Sequence, residues 1–158
     1  MTEAEGLKAL TGPDDDAAAR AAAELWAMWH RSGSSEVDAL LREGIRLMER
    51  RDLAGAEDVF ARIIQRAPEF AEGWNKRATV RYIAENYEGS IDDCEETLRR
   101  NPNHFGALSG QGLCYIAIGR HREAAVMFRR ALVVHPRLRG ARHNLGVAMG
   151  EAVRGNGH

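Results

Sequence analysis

Residues 105–112 read Phe-Gly-Ala-Leu-Ser-Gly-Gln-Gly, with glycines at 106, 110 and 112. Closely spaced glycines are one way a chain cradles phosphate, because bare backbone N–H groups can approach the anion. The neighbours rule this out. A nucleotide phosphate loop needs Gly-x-x-x-x-Gly-Lys and then Ser or Thr, set between a strand and a helix. Here Gly110 is followed by Gln111 and Gly112, no lysine follows, and a proline turn precedes. The dinucleotide pattern Gly-x-Gly-x-x-Gly also fails, since Leu113, Cys114 and Tyr115 follow Gly112.

Other reactive side chains are no better arranged. The two cysteines, Cys94 and Cys114, form no Cys-x-x-Cys pair and read as buried core thiols. The six histidines do not cluster, so no set of three or four close metal ligands arises. Asp92, Asp93, Glu95 and Glu96 form an acidic run that reads as a solvated helix face. No serine, cysteine or histidine stands in a nucleophile motif. Arg120, Arg122, Arg129, Arg130, Arg137, Arg139 and Arg142 could meet phosphates, but no aromatic residues interleave with them for base stacking. The expectation is a protein that is not an enzyme, holds no cofactor or metal, and does not bind nucleic acid.

The bulk numbers agree. A chain of 158 residues that is 44% hydrophobic and 28% charged can bury a globular core. Aromatics are only 6% and alanine is abundant, which favours helices at close range. No run approaches the roughly 20 apolar residues of a membrane helix. The start, MTEAEGLKALTGPDDD, lacks a basic head followed by an apolar stretch. As written the chain reads as cytoplasmic, and as periplasmic or secreted if a signal was removed from a precursor. The net charge of −1 hides a division. Residues 1–104 carry 21 acids against 14 bases, and residues 105–158 carry 2 acids against 8 bases. Such a dipole can steer partners or promote head-to-tail contact between copies.

The elements that hold these residues follow a fixed period. Pro68, Pro102 and Pro136 are each 34 residues apart. That spacing divides the chain into blocks 37–70, 71–104 and 105–138. Gly44, Ala78, Gly112 and Gly146 share one column of small residues, and Ala56, Ser90 and Ala124 another. Phe60, Cys94 and Phe128 share a third column, and Ile64, Leu98 and Leu132 a fourth. Each block reads as two amphipathic helices, with Asp52 and Asn86 as N-caps of the second helices in the first two blocks. The prolines stop those second helices by disfavouring the helical conformation in the residue before them. No stretch alternates with period two over strand length, so almost no sheet is expected.

These columns resemble the tetratricopeptide repeat, a 34-residue helix-turn-helix with small residues where its helices cross, an aromatic in the second helix and a closing proline. Block three matches best, through Gly112, Tyr115, Ala124, Phe128, Ala131 and Pro136, and block two carries the early tryptophan as Trp74. Arg77 and Arg81 stand where the family usually has apolar or aromatic residues, and Glu43 and Gln111 also replace an apolar position. Glu43, Arg77 and Gln111 fall in one column, which suggests a polar ladder with a Glu43–Arg77 contact. The segments FAEGWNKRAT and NPNHFGALSG are similar, more narrowly, to a group of bacterial repeat proteins whose members often carry secretory signals.

The resemblance implies an all-α, right-handed solenoid of three helix pairs. Residues 1–13 are expected to be a disordered tail, 14–33 a helix capping the first pair, 139–153 a partial fourth repeat that solvates the far end, and 154–158 a tail. Trp26 and Trp29 share one face of the N-terminal helix. Burial against the first pair is expected of them, and a helix folded back into the groove or exchanged between copies is the rival.

The resemblance also implies non-catalytic binding of a protein or peptide segment in a concave groove lined by the first helices. In block one the groove positions are Leu41, Arg42, Ile45 and Met48. In block two they are Asn75, Lys76, Thr79, Tyr82 and Ile83. Block three supplies Ser109, Gly110, Leu113 and Ile116, and the remnant His143 and Asn144. Gly106 and Gly110, one turn apart, would widen the groove floor. Arg42 and Lys76 would be charged anchors. The family's chaperone-carboxylate binders need a lysine and asparagine set, and Leu41 and Ile45 stand in the places of its first members. The alternative is a self-associating scaffold that joins the acidic and basic halves head to tail as a homo-oligomer.

Overall fold

The computed structural model describes residues 1–155. Among these, the secondary structure is helical, without strands. Helices α1 (Glu3–Leu10) and α2 (Asp15–Trp29) form an N-terminal hairpin. Three antiparallel pairs follow: α3 (Ser35–Glu49) with α4 (Leu53–Arg66), α5 (Ala71–Ile83) with α6 (Tyr87–Arg100), and α7 (Phe105–Ala117) with α8 (His121–Val134). Helix α9 (Ala141–Arg154) closes the stack against α8. Sequential pairs stack on one another to make a solenoid.

Local chemistry accounts for the boundaries. The Asp52 carboxylate accepts from the Gly55 N–H, and the Asn86 side-chain oxygen from the Gly89 N–H, so both act as N-caps. Ala67, Asn101 and His135, each before a proline, share φ between −140° and −135°, which ends α4, α6 and α8. Arg51, Glu85 and Gly119 occupy one column of the repeat and all take positive φ, at 66°, 64° and 80°. This left-handed residue turns each first helix into its second.

The small-residue column marks where paired helices cross. A Cβ on Gly44 would overlap the Phe60 ring, and one on Gly112 would come within 2.7 Å of the Phe128 ring. Both phenylalanines are fully buried. Burying each is worth about 2–3 kcal/mol. The first pair builds its core from Val37, Leu41, Phe60 and Ile63, with Ile45 and Met48 packed on its margin.

Three expectations need correction. Residues 1–13 are not a disordered tail: Thr2 caps α1, and Leu7 and Leu10 pack with Leu25. Helix α1 has only 8 residues, too few for its periodicity to stand out in the sequence. Helix α2 does not cap the first pair, whose core contains no residue of the hairpin. The hairpin instead buries Leu10, Leu25 and Trp29 with Phe105, Val134 and Leu138. Third, Arg77 does not reach for Glu43, which is exposed. Its guanidinium forks onto Asp93 through two bonds of 2.9 Å, and Arg81 adds a third at 3.1 Å. Asp93, 2% exposed, therefore leaves the solvated face expected of the acidic run. Gln111 donates instead to the Ile91 carbonyl.

Of the 154–158 segment, Arg154 ends α9 and Gly155 caps it, while residues 156–158 lie outside the described residues. No described helix is long and apolar enough to cross a membrane.

Candidate functional site

The first helices α5 and α7 carry the features most relevant to binding. Between them and α6 lies a cavity of about 160 Å³, lined by Asn75, Ala78, Thr79, Tyr82, Ser90, Cys94, Gly106, Gly110 and Leu113. Asn75, Ala78, Ser90 and Cys94 are buried, whereas Thr79, Tyr82, Gly106, Gly110 and Leu113 are half-exposed and form the rim. The polar linings already have partners within the protein. Ser90 Oγ donates to the Ala78 carbonyl, Thr79 Oγ1 to the Asn75 carbonyl, and Asn75 Nδ2 to Glu72. Burial pushes the Cys94 thiol far above its ordinary range, so it stays protonated.

The expected groove positions divide. Asn75, Thr79, Tyr82, Gly110 and Leu113 come together at this cavity. Leu41 does not face a groove: at 3% exposure it belongs to the core under α4. Leu113 and Ile116 also lean on the core shared by α8 and α9. Arg42, Ile83 and His143 are exposed, and Ser109 and Asn144 half-buried, away from the cavity lining. Lys76 is only 12% exposed at its side chain, held 5.5 Å from the Trp26 ring and 3.6 Å from Glu72. It is therefore less available as an anchor than its sequence position suggests.

A second cluster lies where the hairpin meets the stack. Helix α2 spans roughly 22 Å along the row of turns between pairs. Near its start Asp15 accepts from Arg137 at 2.7 Å, while Arg137 also donates to the Leu10 and Gly12 carbonyls. Near its end Trp26 stacks on Phe105 and Trp29 on His104, while the Trp26–His104 and Trp29–Phe105 pairs meet at steeper angles, all with ring centroids 5.0–5.9 Å apart. A Cβ on Gly106 would come 3.0 Å from the Trp26 ring, so this glycine admits the indole at the edge of the cavity.

Glu72 is the buried charge of this junction, at 0% exposure. Its carboxylate accepts from His104 Nε2 and Asn75 Nδ2, both at 2.8 Å, and His30 Nε2 stands 3.5 Å away. Burial pushes the Glu72 carboxyl up, but the His104 hydrogen bond and the surrounding positive charges outweigh it and hold the group below the ordinary range. His104 Nδ1 accepts the Ala107 N–H as the N-cap of α7, which leaves Nε2 to carry the proton shared with Glu72. Burial pushes His30 below its usual value, only partly opposed by Glu72. Burial and then Arg137 do the same to His135, which sits edge-on to Phe105. Sequence reading missed this junction because Glu72 and His104 are 32 residues apart and meet only through stacking. The one available signal was the tryptophan pair on an otherwise alanine-rich helix. Among the described residues no group of His, Cys, Asp and Glu has the arrangement of a metal site.

Comparisons with known proteins agree with this architecture. A family model for the tetratricopeptide repeat matches residues 41–105 and 75–142. A TPR repeat-containing protein of Rhizobium etli is 32% identical over 143 residues, covering 90% of this chain and 70% of that protein. Among solved structures, the first repeat domain of Spaghetti (RPAP3) bound to an HSP90 peptide has a TM-score of 0.74 at 18% identity, covering 76% of this chain and 95% of that one. The TPR2B domain of yeast Sti1 in complex with an Hsp70 peptide has a TM-score of 0.69 at 20% identity, covering 77% and 99%.

Proposed function

The chain belongs to the tetratricopeptide repeat family, and on that premise we propose that it is a non-catalytic binding module that holds a segment of a partner protein against α5 and α7. The observation that carries this reading is the cavity at Asn75, Thr79, Tyr82, Gly110 and Leu113, where residues of two stacked repeats converge on a half-exposed apolar rim. The peptide-bound state of the Spaghetti and Sti1 domains supports the same use of the fold. A chaperone C-terminal carboxylate is not the occupant favoured here, because Leu41 is buried where a basic residue would have to reach out.

The test is capture of partners from source lysate by wild type and by a Thr79→Arg, Tyr82→Ala variant. Both residues are half-exposed on the rim, and Thr79 bonds only to its own helix. Lys76 is left alone because reversing its charge would place a second carboxylate beside buried Glu72. Partners lost with the variant support the groove. Partners retained equally move binding elsewhere.

A second reading, self-association, rests on the far end of the stack. Val126, Met149 and Val153 are 50%, 45% and 81% exposed around one shallow depression on α8 and α9. Under this reading mass grows with protein concentration and Met149→Glu stops the growth. A single mass at all concentrations removes it.

A further inference from the structure

We propose that the cavity between α5, α6 and α7 is a receptor for one aromatic side chain of the partner segment, seated where the second repeat lacks its own ring. The proposal rests on the groove reading above and specifies the chemistry of its occupant.

Three departures from the repeat pattern converge there. In the first and third pairs the crossing is filled by a phenylalanine against a glycine, Phe60 on Gly44 and Phe128 on Gly112. The second pair has Cys94 in the phenylalanine column and Ala78 in the glycine column. The ring is missing, and the added methyl does not replace its volume. The other two departures lie on α7. The column that holds Arg42, Lys76 and Asn144 elsewhere holds Gly110, whose added Cβ would meet only Cys94 Sγ, at 4.0 Å. The column that holds Asp38 and Glu72 holds Gly106. No side chain therefore roofs the space over Gly110, while the space over Gly106 is taken by the Trp26 ring, which walls the cavity's edge.

Size and polarity identify the guest. The cavity measures about 160 Å³. An apolar cavity of roughly 150 Å³ takes up one benzene. The hydroxyls of Ser90 and Thr79 and the Asn75 amide donate their hydrogen bonds within the protein. What remains toward the guest is mostly the apolar surface of Ala78, Cys94, Leu113 and the Tyr82 ring. That surface rewards an apolar ring and offers little to a charged or amide side chain. The half-exposed rim opens the site to a side chain carried on a backbone lying over α5 and α7.

The experiment is a titration of the full 15N-labelled chain with N-acetyl-phenylalaninamide and, separately, N-acetyl-alaninamide, followed by amide chemical shifts. The phenylalanine probe should move the amides of Cys94, Gly110 and Leu113, and the alanine probe should not. Two variants fill the space by different routes. Gly110→Leu projects a side chain from α7, and Ala78→Gly with Cys94→Phe rebuilds the pair found in the other repeats. Each should raise the thermal midpoint and lose the probe's shifts. No response in wild type, or the same response in both filled variants, overturns the proposal. Shifts at these amides that change with protein concentration alone would assign the cavity to a second copy and also overturn it. A partner that is lost with Thr79→Arg, Tyr82→Ala but retained by both filled variants refutes the ring receptor and leaves groove binding standing. A partner bound equally by all of them refutes the groove reading itself.

Discussion

Two glycines on one helix, two residues apart in the chain, have opposite jobs. Gly112 faces α8, where an added Cβ would meet the Phe128 ring at 2.7 Å. Gly110 faces the open cavity, with nothing nearer than Cys94 Sγ at 4.0 Å. Alanine for glycine in a helix gains about 1 kcal/mol from propensity, whereas overfilling a close crossing costs about 1–3 kcal/mol. Gly110→Ala should therefore stabilise by about 1 kcal/mol. Gly112→Ala should destabilise by about 1 kcal/mol, its overpacking outweighing its propensity. Urea denaturation of the two variants checks both signs in one experiment. The roles of Gly44 and Gly112 were legible from their shared column with Ala78. The role of Asp93 was not. An acidic run gives no sign of which member turns inward, and only the pairing of α5 with α6 brings Arg77 and Arg81 onto it.

At the scale of the helix pair, the repeat supplies its own control. The turn residue with positive φ is glycine in the third pair, but Arg51 and Glu85 in the first two. A side chain in that region pays a steric cost that glycine avoids. Glu85→Gly should stabilise by roughly 0.5–1 kcal/mol, and Gly119→Ala should lose about as much. Thermal melts of the two variants check the pair. The hairpin α1–α2 makes a separate prediction. His30 and His135 both have depressed values in the docked state, from burial first. The docked state thus binds fewer protons than the released one. Docking is fully favoured above the free imidazole range near 6.5 and is lost as pH falls through the lowered values. Charged and titratable groups facing the junction are Glu72 and Lys76 from α5, His104 at the start of α7 and Arg137 before α9, with Asp15 of α2 accepting from Arg137 and Glu3 of α1 accepting from Trp29 Nε1. Hydrogen exchange across residues 3–30 should be faster at pH 5 than at pH 7.5 after correction for intrinsic rates, while α3 and α4 stay unchanged. Equal protection at both values would show that the histidines do not govern docking.

For the molecule as a whole, the 34-residue period made the solenoid legible, because stacking repeats write their crossings into fixed columns. It could not place the hairpin. The tryptophans of α2 announced a face needing burial, but their partner, Phe105, lies two repeats further along the stack. The same docking gives the charge division a structural role. Arg137 from the basic half holds Asp15 of the acidic N-terminus, so part of the attraction is satisfied within one chain. What stays open is the apolar rim beside Trp26, and the central claim is that a partner segment lies there. The most direct measurement is hydrogen exchange of the chain with and without a captured partner. The account predicts slowed exchange in α5 and α7, around Thr79, Tyr82 and Gly110, with α4 and α8 unaffected. Slowing confined to α8 and α9, or to the outer helices α4 and α6, would contradict it.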